Sequence, residues 1–151
     1  MKKEEAKKCI AQLISEYEEV AKEKKTRSFS EADTIKQFIL PLFDALGWDT
    51  FNKEEVSAED HIKGRGFADF NFKINGITQF FLEAKKLNAD LDNPEHAVQA
   101  INYSWNRGVR YAVLTDFEGV KVFNAERIDK IDLMDKLVFE LPYQKYIADF
   151  E

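Results

Sequence analysis

Residues 67–74 read Phe-Ala-Asp-Phe-Asn-Phe-Lys-Ile, and this strict alternation is the clearest pattern in the chain. Successive side chains leave a β-strand on opposite faces, so strict alternation of apolar and polar residues marks a half-buried strand. Ala68, Phe70, Phe72 and Ile74 then face one way, and Asp69, Asn71 and Lys73 face the other. Asn75-Gly76 is a hairpin signal, and a second strand runs from Ile77 to about Lys85. A one-residue slip between two such strands flips every side chain, so the loop decides which residues meet. A two-residue loop would pair Ile74 with Ile77 and Asp69 with Leu82, which mixes a carboxylate into the apolar face. A three-residue loop, Ile74-Asn75-Gly76 with Gly76 left-handed in a bulge, pairs Lys73 with Ile77 and sets Asp69 opposite Phe81. Asp69 then shares a face with Gln79, Glu83 and Lys85, and the pattern predicts this bulged turn.

The rest of the chain reads as helices and short strands around this hairpin. Residues 2–25 form an amphipathic helix whose apolar stripe is Ala6, Cys9, Ile10, Leu13, Tyr17, Val20 and Ala21. Cys9 is read as a small buried apolar residue. Ser30 looks like an N-cap, with Glu31 and Asp33 in the first turn, where the helix dipole favours negative charge. That helix runs to about Leu46 and stops at Gly47, with a kink or break expected at Pro41. Trp48 to Ser57 is expected to hold a first strand, and residues 58–66 a loop. Pro94, after Asp92 and Asn93, opens a helix that Gly108 closes. Residues 109–115 read as a buried strand, Asp116 to Gly119 as a turn, and Val120 to Asn124 as a short strand. The tail from Arg127 is ambiguous. The expected organisation is a single domain over 1–151: an N-terminal helix over 1–27, a core over 28–125 and an extension over 126–151 that could lead into a further domain. The chain could be part of a longer protein or a small stand-alone one.

Composition narrows the function. The 151 residues suit one domain with a proper core, and thirteen phenylalanines supply its bulk. One cysteine excludes an internal disulfide and fits a reducing cytoplasm. No apolar run approaches a membrane span, and the opening Met-Lys-Lys-Glu-Glu is too acidic for a signal peptide, so a cytoplasmic location is expected. A formal net charge of −6 argues against a domain that grips nucleic acid unaided, because phosphate binding runs on lysine and arginine. Metal-dependent nucleases are a partial exception, since a bound cation neutralises their carboxylates.

Asp69, Glu83 and Lys85 are the residues with the right chemistry for such a site. Magnesium needs hard oxygen ligands converging on one point, commonly carboxylates, and phosphodiester cleavage needs a cation to offset developing charge. Glu83 and Lys85 are two apart and share a face of their strand. Glu-x-Lys alone is weak, because both residues are abundant here. Its value comes from sharing a face with an aspartate set among phenylalanines.

Asp69 followed fourteen residues later by Glu83-Ala84-Lys85 resembles the D…E-x-K signature of the PD-(D/E)XK nuclease superfamily. Residues 30–48, S-E-A-D-T-I-K-Q-F-I-L-P-L-F-D-A-L-G-W, resemble the opening helix of the nuclease domain of type I restriction R subunits and of fused restriction–modification enzymes. Glu31 fits the acidic residue that this family places there, and shares a helical face with Ile35, Phe38 and Leu42, so it is expected to point inward. Gln99-Ala100-Ile101-Asn102-Tyr103 fits the family's Q-x-x-x-Y motif, with Gln99 and Tyr103 one turn apart and His96 and Arg107 nearby. Ala68 replaces the proline that usually precedes the aspartate, a position that does no chemistry. The resemblance spans roughly residues 28–125.

It implies an α/β, restriction-endonuclease-like core: a mixed sheet of about four to five strands flanked by helices, here with an extra N-terminal helix. It implies catalysis by Glu31, Asp69, Glu83 and Lys85, with Mg²⁺, or Mn²⁺ in its place, on Asp69, Glu83 and the backbone carbonyl of Ala84. Gln99 and Tyr103 would position DNA, and Lys63, Arg65, Lys86 and Arg107 are candidate phosphate contacts. His61 reads as a surface loop histidine. The implied partners are double-stranded DNA and motor, methyltransferase or specificity modules, in this chain or others. There is no phosphate-binding G-x-x-x-x-G-K-[ST] loop, so no ATP site is expected in this chain. The alternatives are a catalytically silent nuclease-fold module that docks DNA or a protein, and a repair or RNA nuclease using the same site.

Overall fold

The structure is a computed structural model and describes residues 2–59, 69–126 and 136–147. An N-terminal helix, α1 (Lys3–Lys22), is followed by α2 (Glu31–Thr34), a π-helical stretch (Ile35–Ile39) and α3 (Leu40–Ala45), which join into one continuous helix. Ser30 caps it as expected: its hydroxyl accepts from the Asp33 N–H at 3.0 Å while the Asp33 carboxylate accepts from the Ser30 N–H at 3.1 Å. The disturbance expected at Pro41 appears as the π-helical stretch before it. Proline has no N–H to close an ordinary helical bond, and the widened turn bonds Leu40 N–H to Ile35 C=O instead. Gly47 ends the helix at φ +109°.

Six strands follow: β1 (Val56–Ala58), β2 (Phe70–Ile74), β3 (Ile77–Ala84), β4 (Tyr111–Thr115), β5 (Gly119–Asn124) and β6 (Leu137–Pro142). They lie in one sheet in chain order, antiparallel except for the parallel pair β3–β4. Helix α4 (Pro94–Asn106) makes the crossover between these two, capped by Asn93. The fold is thus α/β with a mixed sheet and an N-terminal helix. It has six strands where four to five were expected, because the ambiguous tail supplies β6.

The hairpin differs from its expected form in an informative way. The turn is a two-residue one, with Ile74 opposite Ile77 and both Asn75 (φ 53°) and Gly76 (φ 79°) left-handed. The extra residue sits inside β3 instead: Lys73 pairs with Thr78 but Phe72 pairs with Phe80, which leaves Gln79 bulged. Beyond the bulge, Phe70 pairs with Leu82 and the ladder ends, with Asp69 one residue further on and so on the parity of Glu83 rather than of Leu82. Either placement of the extra residue corrects the parity, and the hydrophobic pattern fixes only parity.

Each sheet face carries its own core. On one face Phe72 and Phe80 stack at 4.6 Å between ring centres, and Trp48 meets both edge-on at 5.1 and 5.6 Å. Ile10, Leu13 and Tyr17 of α1 and Phe38, Leu42 and Phe43 pack on this face. Cys9 does not join them: it is exposed, because the buried stripe runs Ala6, Ile10, Leu13, Tyr17 and Cys9 lies one residue, about 100° of helix rotation, off it. On the other face α4 buries Ala97, Ala100 and Ile101 against Ala112, Leu114 and Phe123.

The turn after β4 braces the end of β3. Glu118 accepts from the Asn88 N–H at 2.6 Å and from the Tyr17 hydroxyl, while Asp116 accepts from the Gly119 N–H at 3.0 Å. Burial, with the neighbouring Glu118 charge, pushes the Asp116 carboxyl from 3.8 up to about 7. A carboxyl raised on folding binds its proton more tightly in the folded chain, so its contribution is favourable at low pH and is lost as pH rises towards 7. Asp116→Asn keeps the acceptor and removes the buried charge. It should therefore raise Tm, by more at pH 8 than at pH 5, in thermal unfolding followed by circular dichroism.

Candidate active site

The polar face of the hairpin comes together at the end of β3. Asp69 is nine-tenths buried and Glu83 is 3% exposed. The Asp69 N–H bonds to the Leu82 carbonyl at 2.7 Å, and its Oδ2 accepts from the Ala84 N–H at 2.7 Å. The carboxylate thus takes the place of a ladder partner, which fixes it beside Glu83. In an extended strand the N–H and C=O of one residue point to the same edge, so the Ala84 carbonyl is directed to the Asp69 side. Lys85 lies just past β3, anchored by its N–H to the Thr115 carbonyl at 2.8 Å, with its Nζ 3.0 Å from Glu83 Oε1.

Burial pushes the Glu83 carboxyl from 4.5 up to about 7. The Lys85 ammonium opposes this, and the charges of Asp69 and Glu31 reinforce it. Among the described residues, Glu83 Oε2 is buried without a hydrogen-bond partner. Also among them, no group of three or more His, Cys, Asp or Glu side chains could hold a metal ion. Asp69 and Glu83 are both buried and interact electrostatically, and the described residues build no full cage around them.

Glu31 reaches this region electrostatically, yet its side chain is exposed and not turned inward as expected. The π-helical stretch takes in an extra residue per turn, so the face carried back from Phe38 and Leu42 slips past Glu31 to Thr34. Thr34, which the sequence reading passed over, is fully buried. Its hydroxyl accepts from the Leu87 N–H at 3.1 Å and donates to the Ser30 carbonyl at 2.9 Å. This bond ties the start of the helix to the segment that follows Lys85. A small hydroxyl residue four before Phe38 was the available signal.

Helix α4 runs antiparallel to β3, as a β–α–β crossover requires, so its first turn lies over the Lys85 end. His96 is half-buried there, and burial followed by the Lys85 charge lowers its pKa. Tyr103 is buried, edge-on to Phe81 at 4.9 Å, on the same sheet face as Glu83. Gln99 is exposed, so the two residues of the Q-x-x-x-Y pattern differ in environment. Arg107 caps Tyr103 from outside, its guanidinium 3.6 Å from the ring centre and its Nη1 3.3 Å from the Tyr103 carbonyl. Lys86 is exposed. His61, Lys63, Arg65 and Ala68 lie outside the described residues. An apolar groove of about 520 Å³, lined by Leu46, Trp48, Phe80, Tyr111 and Phe139, opens on the opposite sheet face and shares no residue with this site.

No family model matches the chain. It is 28% identical over 128 residues to the type II restriction enzyme and methyltransferase RM.Eco57I of Escherichia coli, an alignment covering 76% of the chain. The chain resembles restriction enzymes. It spans only 13% of the length of that relative. Among solved structures, a fragment assigned to the HsdR subunit of a type I restriction enzyme from Vibrio vulnificus YJ016 aligns with a TM-score of 0.48 at 21% identity, covering 72% of this chain and 24% of that one. No helix among the described residues is long and apolar enough to cross a membrane.

The Thr34 tie is testable without any assumption about chemistry. Thr34→Val keeps the shape and removes the hydroxyl, leaving the Leu87 N–H buried and unpaired, which costs about 1–3 kcal/mol. Denaturant unfolding should show that loss, and hydrogen exchange should show the Lys85–Leu87 amides opening more readily.

Proposed function

We propose that this chain is a magnesium-dependent endodeoxyribonuclease domain of a restriction system. The observation that carries the reading is the buried Asp69–Glu83 pair with Lys85 Nζ 3.0 Å from Glu83 and a Glu83 oxygen left unpartnered among the described residues. Two carboxylates this deep repel each other, and a hard divalent cation is the partner that their oxygen chemistry suits. Asp69, Glu83 and the Ala84 carbonyl would hold Mg²⁺, with Mn²⁺ as a substitute. When bound, the cation supplies charge neutralisation and a more acidic water.

The chain's own residues account for the rest. The Lys85 ammonium, held on the Glu83 face, is placed to offset charge on the scissile phosphate. At ~4 Å such an attraction is of order 4 kcal/mol near a surface. Asp69 keeps its orientation through the Ala84 N–H, so the site is formed before substrate arrives. Glu31 sits at the rim, where it adds negative charge that favours cation uptake. Tyr103 stiffens β3 through Phe81, and Gln99, exposed one turn away, is available to the DNA backbone. With a net charge of −6 the domain should bind DNA weakly by itself. We read it as working with modification, specificity or motor modules, in keeping with a relative whose name joins a restriction enzyme to a methyltransferase.

The test is a set of substitutions read by cation titration and by DNA cleavage, with the chain alone at high concentration and within any longer protein that contains it. Cleavage should need Mg²⁺ or Mn²⁺, with Ca²⁺ binding but not supporting turnover. Asp69→Ala and Glu83→Ala should remove both cation binding and cleavage. Lys85→Ala should lower cleavage by 10²-fold or more, of the order seen when a charge-stabilising donor is removed, and spare cation binding. Cleavage that survives Lys85→Ala, with no cation site detected, would leave a non-catalytic docking module as the better reading.

A further inference from the structure

Two buried side-chain oxygens lack a hydrogen-bond partner among the described residues, and both belong to the same face of the hairpin: Glu83 Oε2 and Asn71 Oδ1. Asn71 pairs across the ladder with Phe81, which makes it the diagonal neighbour of Glu83. Diagonal neighbours on one face of an antiparallel pair are about 7–8 Å apart at Cα and closer at their side chains. Leaving a buried acceptor unpaired costs about 1–3 kcal/mol, so an apolar residue beside Phe81 would have served the fold better than this amide.

A cation on the carboxylates satisfies the Glu83 oxygen directly. A water carried by that cation extends the reach by one metal–oxygen bond of about 2.1 Å and one hydrogen bond of about 2.8 Å, which covers a diagonal spacing. Magnesium held by one or two carboxylates keeps several waters, and Asp69 and Glu83 are the two buried carboxylates of the proposed site. Those waters need acceptors to orient them, and the buried Asn71 oxygen, on the same hairpin face as Glu83, has no partner among the described residues.

We infer that Asn71 is a positioning residue of the Asp69–Glu83 cation site, its side-chain oxygen accepting a hydrogen bond from a cation-bound water. This rests on the cation site proposed above and assigns it a residue outside the D…E-x-K pattern.

The test reads cation binding rather than cleavage, by calorimetric titration with Mg²⁺ and by the rise in Tm that Mg²⁺ produces. Wild type is compared with Glu83→Ala, Asn71→Leu, Asn71→Ser and Asn71→Asp. Asn71→Leu should leave the cation-free Tm unchanged or higher while weakening Mg²⁺ about 10-fold, the range expected when an outer hydrogen-bond partner is lost. Asn71→Ser, too short to reach the water, should weaken it similarly and decides the matter if the leucine variant does not fold. Asn71→Asp, which restores an acceptor, should bind Mg²⁺ at least as well as wild type. Binding within two-fold of wild type in the serine or leucine variant, with Glu83→Ala abolishing it, overturns the role of Asn71 and leaves the cation site standing. No Mg²⁺ response in wild type overturns both.

Discussion

The whole arrangement depends on a parity condition in the β2–β3 hairpin. An antiparallel pair joined by a two-residue turn sets Asp69 against Leu82, which would drive a carboxylate into the Phe72–Phe80–Trp48 stack. Bulging Gln79 shifts the ladder by one residue, so that Phe70 pairs with Leu82 and Asp69 takes the parity of Glu83. Every aromatic residue of β2 and β3 then falls on the face packed by α1 and α3 except Phe81, which meets Tyr103 of α4 on the other face. Each aromatic contact of this kind adds about 0.5–1.5 kcal/mol beyond burial, so the aromatic residues select the register and the carboxylates inherit it.

Placing two carboxylates in a buried patch has an electrostatic cost, visible in the Glu83 carboxyl held up to about 7 despite a lysine in contact. The surrounding bonds show how the fold tolerates it. Lys85 is anchored to Thr115, Leu87 to Thr34 and Asn88 to Glu118, so three separate parts of the fold hold the residues after β3. On the function proposed above, a ligand of opposite charge would offset that cost.

Much of this was legible in the alternation of residues 67–74 and in the punctuation at Ser30, Gly47, Asn93 and Gly108, because each signal is local. What escaped was set by interactions that leave no local mark. Pattern fixes parity but not where an extra residue goes, so the bulge was expected in the turn and lies at Gln79. A helical phase of 100° per residue does not hold through the π-helical Ile35–Ile39 stretch, which leaves Glu31 off the inward face. Cys9 was read onto a stripe one residue too wide. Strand β6 depends on pairing with β5, a long-range contact, and the tail that forms it carries no periodicity of its own. Asn71 was seen on the carboxylate face, but an unpaired amide oxygen is visible only once its neighbours are known.

The distribution of cations bears on how such a domain would meet DNA. Lys85 is engaged with Glu83, Arg107 is stacked on Tyr103, and Lys121, nearly buried, bonds Asp92 at 2.6 Å with Glu140 at 3.8 Å. Each is already committed to a partner that a phosphate would have to displace or share. Counterion release, which drives most non-specific DNA binding, scales with the number of uncommitted lysines and arginines that meet phosphates. Lys86, beside Lys85, is exposed, but few of these cations are left to contribute to that term. With a net charge of −6, any nucleic-acid binding by this domain would depend on neutralising its carboxylates.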